Sequence, residues 1–416
     1  MIERFQAGDA AALRRPAGRE DRALLDAVRR IVEDVRAGGW DAMAEQALRI
    51  DGAAPKLVAV APGAEQARRT LPADAIAAMA LARRNIETFH RRTRPREVEV
   101  ETLPGLRVAK QWRALGSAGL YVPGGTAPLF STLMMLAIPA RVAGVGRLVV
   151  VTPPRRDGGL DPAIALAAEL CGIEAIWTVG GAQAIAALAF GAGGIPPVDR
   201  IAGPGNAWVA AAKALVASLP GGPGIDLPAG PSELMIIADS NADPRTVAAD
   251  LLSQAEHDAA AQVILVTPDP ALVDAIEGEL LKQTGAMTSG FAPARAILCR
   301  DLDEALAIAN AYAPEHLSLA TDQADALIAR ITSAGAVFAG HDAAETFGDY
   351  LAGSSHVLPT DGAARFTGGV STLTFMKAIT VQRMTREAAR AMAAPAAALA
   401  RLEGLEAHAR AAECRA

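Results

Sequence analysis

A chain of 416 residues with 51% hydrophobic and 21% charged side chains can bury a large core and exceeds the usual size of one domain, so two or more domains are expected. A formal net charge of −6 and a sequence pI of about 5.6 argue against a nucleic-acid or anionic-membrane surface, which would need clustered Lys and Arg. Cys171, Cys299 and Cys414 are odd in number and lack C-x-x-C spacing. That disfavours a disulfide framework and a thiolate zinc site, so a metal would have to use His, carboxylate or amide ligands.

At the start of the chain, Met1-Ile2-Glu3-Arg4-Phe5 has no apolar run before its first charges, so neither a secretory signal nor a membrane anchor is expected, and a cytoplasmic location is. The apolar stretch Thr132 to Val145 is broken by Pro139 and Arg141 and falls short of the ~20 clean residues that span a bilayer. Leu24, Val28, Ile31 and Val35 recur at helix spacing, as a packed face would. From about Leu148 onward, short β-branched runs alternate with Ala-rich helical stretches, the pattern of a parallel sheet built from βαβ units. Strand candidates are Leu148 to Thr152, Ala175 to Val179, Leu234 to Ala238, Gln262 to Thr267, Ala296 to Cys299, Leu317 to Ala320 and Ala336 to Ala339. The class is α/β. The Gly/Pro-dense stretch Leu219 to Gly224 reads as a domain crossing or as a plain surface loop. After Asp349 the strand pattern fades into loop and helix, and Pro395 can start a final helix as its first-turn residue.

No G-x-G-x-x-G follows any strand candidate, so the usual dinucleotide fingerprint is missing. Gly-rich turns do occur at Gly124-Gly125, Gly180-Gly181-Ala182-Gln183 and Gly203-Pro204-Gly205-Asn206. Each offers unhindered backbone N–H groups where a diphosphate could sit, and each also suits a tight structural turn. In the segment from Asp243, which can cap a helix started by Pro244, Gln254 falls on the buried stripe and His257 lies three residues further. Their amide oxygen and imidazole could converge on a metal, although a hydrogen-bonded core pair accounts for the same spacing. Glu315-His316 sets an acid beside an imidazole at the mouth of the strand beginning at Leu317, which suits acid–base work near neutral pH, as well as a surface dipeptide. Asp349 with His356, and Glu403 with His408, add further carboxylates and imidazoles, whereas His90 and His341 stand outside these clusters.

Taken together, these segments resemble the histidinol dehydrogenase family from the stretch Asn85 to His90 through to His408. The most specific blocks are Gly119 to Pro128, Gly180 to Gly191 and Val198 to Asn206, followed by Asp226 to Glu233, Leu251 to Asp258, Ala313 to Leu317, Gly348-Asp349-Tyr350 and His356 to Thr360. The resemblance implies two Rossmann-like parallel-sheet domains with small N-terminal and C-terminal helical elements. Residues 1–20 would form an N-terminal arm, 21–120 with 234–372 a discontinuous first domain carrying the zinc and acid–base residues, 121–233 an NAD-binding domain, and 373–416 a helical tail reaching the partner subunit of a homodimer. It further implies a Zn2+ ion held by Gln254, His257, Asp349 and, from the partner, His408, with NAD contacts from Tyr121, Gln183 and Asn206. Substrate contacts would come from Ser232, His316, His356 and Glu403 along with the metal ligands. The implied reaction is two-step oxidation of L-histidinol to L-histidine through bound L-histidinal, the last step of histidine biosynthesis, with His316 as base for the alcohol and Glu315 for the attacking water.

Two segments depart from the family pattern: Ser354-Ser355, where many members carry an Asn just before the His, and Thr367 to Met376. Loop drift explains them, as would a paralogue that keeps zinc, NAD and the Glu-His pair but oxidises another polar alcohol. A non-catalytic NAD- or metal-binding relative would be expected to lose a ligand or an acid–base residue, and every such position is filled.

Overall fold

The computed structural model describes residues 2–14, 21–124, 128–227, 230–257, 259–285 and 291–416. Gly125-Thr126-Ala127, Pro228-Ala229 and Asp258, each part of a block named above, lie outside the described residues. The chain opens with β1 (Glu3–Gln6), α1 (Arg22–Ile50), β2 (Leu57–Ala59), α2 (Val60–Thr70), α3 (Ala73–Thr93), β3 (Val98–Leu103) and β4 (Leu106–Ala114). Alternation follows through β5 (Ser117–Tyr121), α4 (Phe130–Ala143), β6 (Arg147–Thr152), α5 (Pro162–Leu170), β7 (Ala175–Thr178), α6 (Gly181–Phe190), β8 (Arg200–Ala202), α7 (Ala207–Ser218) and β9 (Gly224–Ile225). A second series runs through β10 (Glu233–Ala238), α8 (Pro244–Ala255), β11 (Gln262–Thr267), α9 (Pro270–Thr284), β12 (Ala294–Leu298), α10 (Leu302–Tyr312), β13 (His316–Ala320), α11 (Ala324–Ile328), β14 (Ala336–Ala339) and α12 (Glu345–Tyr350). β15 (Met376–Met384), α13 (Arg386–Leu402) and α14 (Glu406–Glu413) close the chain.

Two compact units result, Met1–Thr93 with Gly116–Phe375, and Arg94–Leu115 with Met376–Ala416. The larger unit holds two six-stranded sheets, ordered β1-β12-β11-β10-β13-β14 and β2-β7-β6-β5-β8-β9. All pairs are parallel except β2 with β7. Strands covered on both faces read as unbroken apolar runs, and every residue of β5, β10 and β13 is buried. The stretch that might have passed for a short membrane segment is α4, whose residues from Ser131 to Ala140 are all buried. Among the described residues, no helix is long and apolar enough to cross a membrane.

The sheets divide the chain differently from the expected bounds in two places, the first segment and the tail. Residues 21–120 do not side with 234–372: β2 and β5 join the sheet of β6 to β9, and α1 packs on α6 and α7, because the Val28, Ile31, Val32 and Val35 face shares its core with Ala184 to Leu188. The N-terminal arm contains an edge strand, β1, paired in parallel with β12. The C-terminal tail is not purely helical, since β15 pairs antiparallel with β4 and β4 with β3, making the three-stranded sheet of the smaller unit. Pro395 lies inside α13, which Thr385 caps by accepting from the Ala388 N–H.

His90, on the buried side of α3, is 0% exposed, and neither ring nitrogen has a hydrogen-bond partner among the described residues. Burial lowers its pKa from 6.5 to about 4. The unfolded chain therefore takes up a proton near pH 6.5 that the folded chain refuses until about 4, and stability is lost as pH falls through that window. The gap is worth on the order of 3 kcal/mol. In acid unfolding followed by circular dichroism, His90→Leu should flatten this part of the pH dependence; an unchanged slope would assign the acid sensitivity to other groups.

Candidate active site

The residues expected to do acid–base work come together at the amino ends of two central strands. The parallel pairing of β10 with β13 sets Leu234 opposite His316, so Glu233 and the Glu315-His316 pair come together. His316 Nδ1 lies 3.0 Å from the Glu233 carbonyl oxygen. Only an Nδ1–H can donate there, so the neutral ring carries its lone pair on Nε2. Nε2 is buried with no hydrogen-bond partner among the described residues and is 4.0 Å from Asp349 Oδ1. Burial pulls the His316 pKa down to about 4, against the opposing pull of Asp349. The Glu315 carboxylate accepts from the Glu233 N–H at 2.9 Å and approaches His316 Nδ1 to 3.7 Å.

α12 brings Asp349 and a residue the sequence reading missed. Glu345 is buried, and its Oε1 is 3.5 Å from His316 Nδ1. Burial, then the nearby Asp349 and Glu315 charges, push its pKa well above the carboxylate range. His316, Glu345 and Asp349 can present ligand atoms within 4.8 Å of one another. Glu345 stands one helical turn before Asp349, so the i,i+4 spacing was a usable signal.

Gln254 ends the buried stripe of α8 and is 0% exposed, yet neither atom of its amide has a hydrogen-bond partner among the described residues. An unpaired buried amide costs about 1–3 kcal/mol, a cost that ligation of a cation by the oxygen would offset. His257, just beyond the helix, is exposed, and its Nδ1 lies 2.8 Å from the Ser253 carbonyl oxygen, which leaves Nε2 for a ligand. It is near enough to lower the basicity of both His316 and His356, although the three-residue cluster does not include it. His356 Nδ1 is 2.9 Å from the Asp349 carbonyl oxygen and Nε2 is 3.3 Å from Thr132 Oγ1. Ser232 directly precedes β10, and its carbonyl accepts from the Gln262 N–H at 2.9 Å. Glu403 and His408 belong to the smaller unit, where both are exposed.

The Gly-rich turns meet at the carboxyl ends of β5, β7 and β8, the customary ligand edge of such a sheet. The buried Tyr121 hydroxyl accepts from the Gly181 N–H at 3.2 Å. Asp51 Oδ2 accepts from the Gly180 N–H and from Gln183 Nε2, both at 3.2 Å. Gln183 Oε1 is buried with no hydrogen-bond partner among the described residues. Asn206 caps α7, accepting from the Trp208 and Val209 N–H groups at 3.1 and 3.2 Å. The turn before it is pinned by a buried Lys213–Asp226 pair. Lys213 Nζ donates to the Gly203 carbonyl at 2.8 Å, and the Gly203 N–H donates to Asp226 at 2.7 Å. Gly203 has φ 127°, and a Cβ there would collide with the Tyr121 carbonyl oxygen, so glycine is required where these two loops touch.

Known proteins resemble this chain along nearly its whole length. Residues 14–416 match the histidinol dehydrogenase family. A histidinol dehydrogenase of Ruegeria pomeroyi is 46% identical over 405 residues, covering 94% of this chain and 92% of its own. That of Xanthomonas euvesicatoria pv. vesicatoria is 44% identical over 407 residues, covering 96% and 94%. The crystal structure of histidinol dehydrogenase from Elizabethkingia anophelis superposes with a TM-score of 0.94 at 36% identity, covering 100% of this chain and 98% of the other. With a family match over nearly its whole length and relatives of that family covering more than nine-tenths of it, the chain is an oxidoreductase that belongs to the histidinol dehydrogenase family.

Proposed function

We propose that the protein is a cytoplasmic homodimer that oxidises L-histidinol to L-histidine through bound L-histidinal, passing two hydrides in succession to NAD, as the last step of histidine biosynthesis. The observation that carries this reading is His316: a buried neutral imidazole whose Nδ1 is committed to the Glu233 carbonyl and whose Nε2 is open beside Asp349. Such a base takes the alcohol proton at Nε2; NAD, when bound, would supply the hydride acceptor. Glu315 takes a proton from the water that adds to the aldehyde carbon, and the second hydride leaves the resulting hydrate. Tyr121, Gln183 and Asn206 would hold the dinucleotide at the carboxyl ends of β5, β7 and β8, with Gln183 Oε1 as an acceptor that has no partner among the described residues.

The donors suit Zn2+. The unpartnered Gln254 amide, His257 Nε2 and the Asp349 carboxylate form an O/N set, with His408 of the partner subunit as fourth ligand in this reading. When bound, zinc would act as an orienting Lewis acid for the amine and imidazole nitrogens of the substrate. Ser232, His356 and, from the partner, Glu403 would complete the substrate contacts.

Purified protein supplied with L-histidinol and NAD should form two NADH per alcohol consumed. Dialysis against a chelator should lower that rate by at least about 100-fold, and Zn2+ should restore it. No NADH from histidinol, but turnover of another polar alcohol, would favour the paralogue; undiminished turnover by metal-free protein would overturn the zinc assignment.

A further inference from the structure

α12 carries Glu345 and Asp349 but is only six residues long, well short of the roughly 12 at which a helix begins to hold on its own. Packing does not lock its outer side. Thr346, Phe347 and Tyr350 line a cavity of about 440 Å³ together with residues of α3 and α4 such as Ile86 and Met134. The carbonyls at a helix end have no intrahelical partners and must find them elsewhere. At the end of α12, two are met by side chains.

Asn85, on α3, donates from Nδ2 to the Leu351 carbonyl at 2.8 Å. The chain stays pressed against it for two more residues: Gly353 has φ 100°, and a Cβ there would stand 2.7 Å from the Asn85 carbonyl oxygen. The second carbonyl is that of Asp349 itself, which accepts from His356 Nδ1 at 2.9 Å. With Nδ1 donating, Nε2 of the neutral ring is an acceptor. The Thr132 hydroxyl of α4, on a residue 2% exposed, lies 3.3 Å from it and donates. Asn85 and the Thr132–His356 pair thus fasten the end of α12 to α3 and α4, while Glu345 and Asp349 face His316. Asn85 begins the stretch from which the family resemblance runs, and neither it nor Thr132 has a part in the chemistry above.

We infer that Asn85 and Thr132 are positioning residues for Asp349: by holding the end of α12 they set where its carboxylate stands for a cation shared with Gln254 and His257. The inference rests on the zinc reading above and extends it to two residues that would not touch the ion. Groups that orient a metal ligand from behind are worth about 10–100-fold in metal affinity.

The test is competition for Zn2+ between the full-length, metal-stripped protein and a chromophoric chelator, without substrate or NAD. Asn85→Leu, similar in size but without the donor, and Thr132→Val, the same shape without the hydroxyl, should each bind Zn2+ about tenfold more weakly. Thr132→Ser keeps the hydroxyl and should bind as the parent does. Gln283→Leu removes a bond of the same kind, from Nε2 to the Arg245 carbonyl at 3.1 Å, at the end of α8 away from Gln254. It should keep the parental affinity, which separates a misplaced Asp349 from general loosening. Where a variant does not fold, alanine at the same position removes the same bond and carries the same expectation. Parental zinc affinity in the Asn85 and Thr132 variants, or an equal loss in Gln283→Leu, overturns the inference and leaves the zinc reading standing. A parent that binds no Zn2+ overturns both.

Discussion

Replacing His316 by asparagine should lower kcat for histidinol oxidation by about 10³-fold with little change in KM, a loss typical of deleting a positioned general base. Asparagine can still donate an N–H toward the Glu233 carbonyl that His316 Nδ1 meets at 3.0 Å, so the amino ends of β10 and β13 keep their bond and the variant should fold. What disappears is the Nε2 lone pair. The pH profile of the parent carries a second signature. A histidine base at its ordinary 6.5 would lose activity below neutrality, but burial lowers this one to about 4, and a cation held at Asp349 would lower it further. The acid limb due to His316 should therefore lie well below pH 6.5 in kcat/KM. Stopped-flow measurement of the first NADH, from pH 5 to 9, checks both points. A variant losing less than about tenfold in kcat would remove His316 from the proton transfer.

β10 and β11 were readable because Leu234 to Ala238 and Val263 to Val266 are apolar runs of strand length, and length and β-branched content separate such runs from a buried helix segment; β13, whose run Ser318 interrupts, was readable from its place in the alternating series. The smaller unit was not. All of β3 is exposed, so it carries no buried stripe, and its sheet is completed by β15, distant in sequence, whose pairing no local pattern announces. Site residues divide the same way. Gln254 stood out because a polar residue fell on an apolar helix stripe, and Glu315-His316 because two acid–base groups adjoin. The histidine tautomer depends on the register of β10 against β13, a tertiary fact. Glu345 had a local signal in its spacing from Asp349, but one acid near another at helix spacing is common on solvated faces, and only its burial against His316 distinguishes it. The break in α1 at Gly39, where φ is 57°, was foreshadowed by Gly38-Gly39, a helix-breaking pair inside an otherwise helical run; where the broken halves went was not.

Glu315 offers the sharper test of the two-step scheme, because only the second oxidation needs water. Its carboxylate accepts from the Glu233 N–H at 2.9 Å, and in Glu315→Gln the amide oxygen can take over that acceptor role with the same shape. The substitution thus removes the ability to accept a proton while sparing the local structure. Alcohol oxidation, whose proton goes to His316 Nε2, should slow by less than about threefold, whereas oxidation of supplied histidinal should slow by about 10²–10³-fold, the range of one general base. Single-turnover experiments should then show one NADH formed quickly from histidinol and the second delayed, in place of two in close succession. Equal slowing of alcohol and aldehyde oxidation would mean that Glu315 acts through the position of His316, which its side chain approaches to 3.7 Å, and that the water is activated by another group.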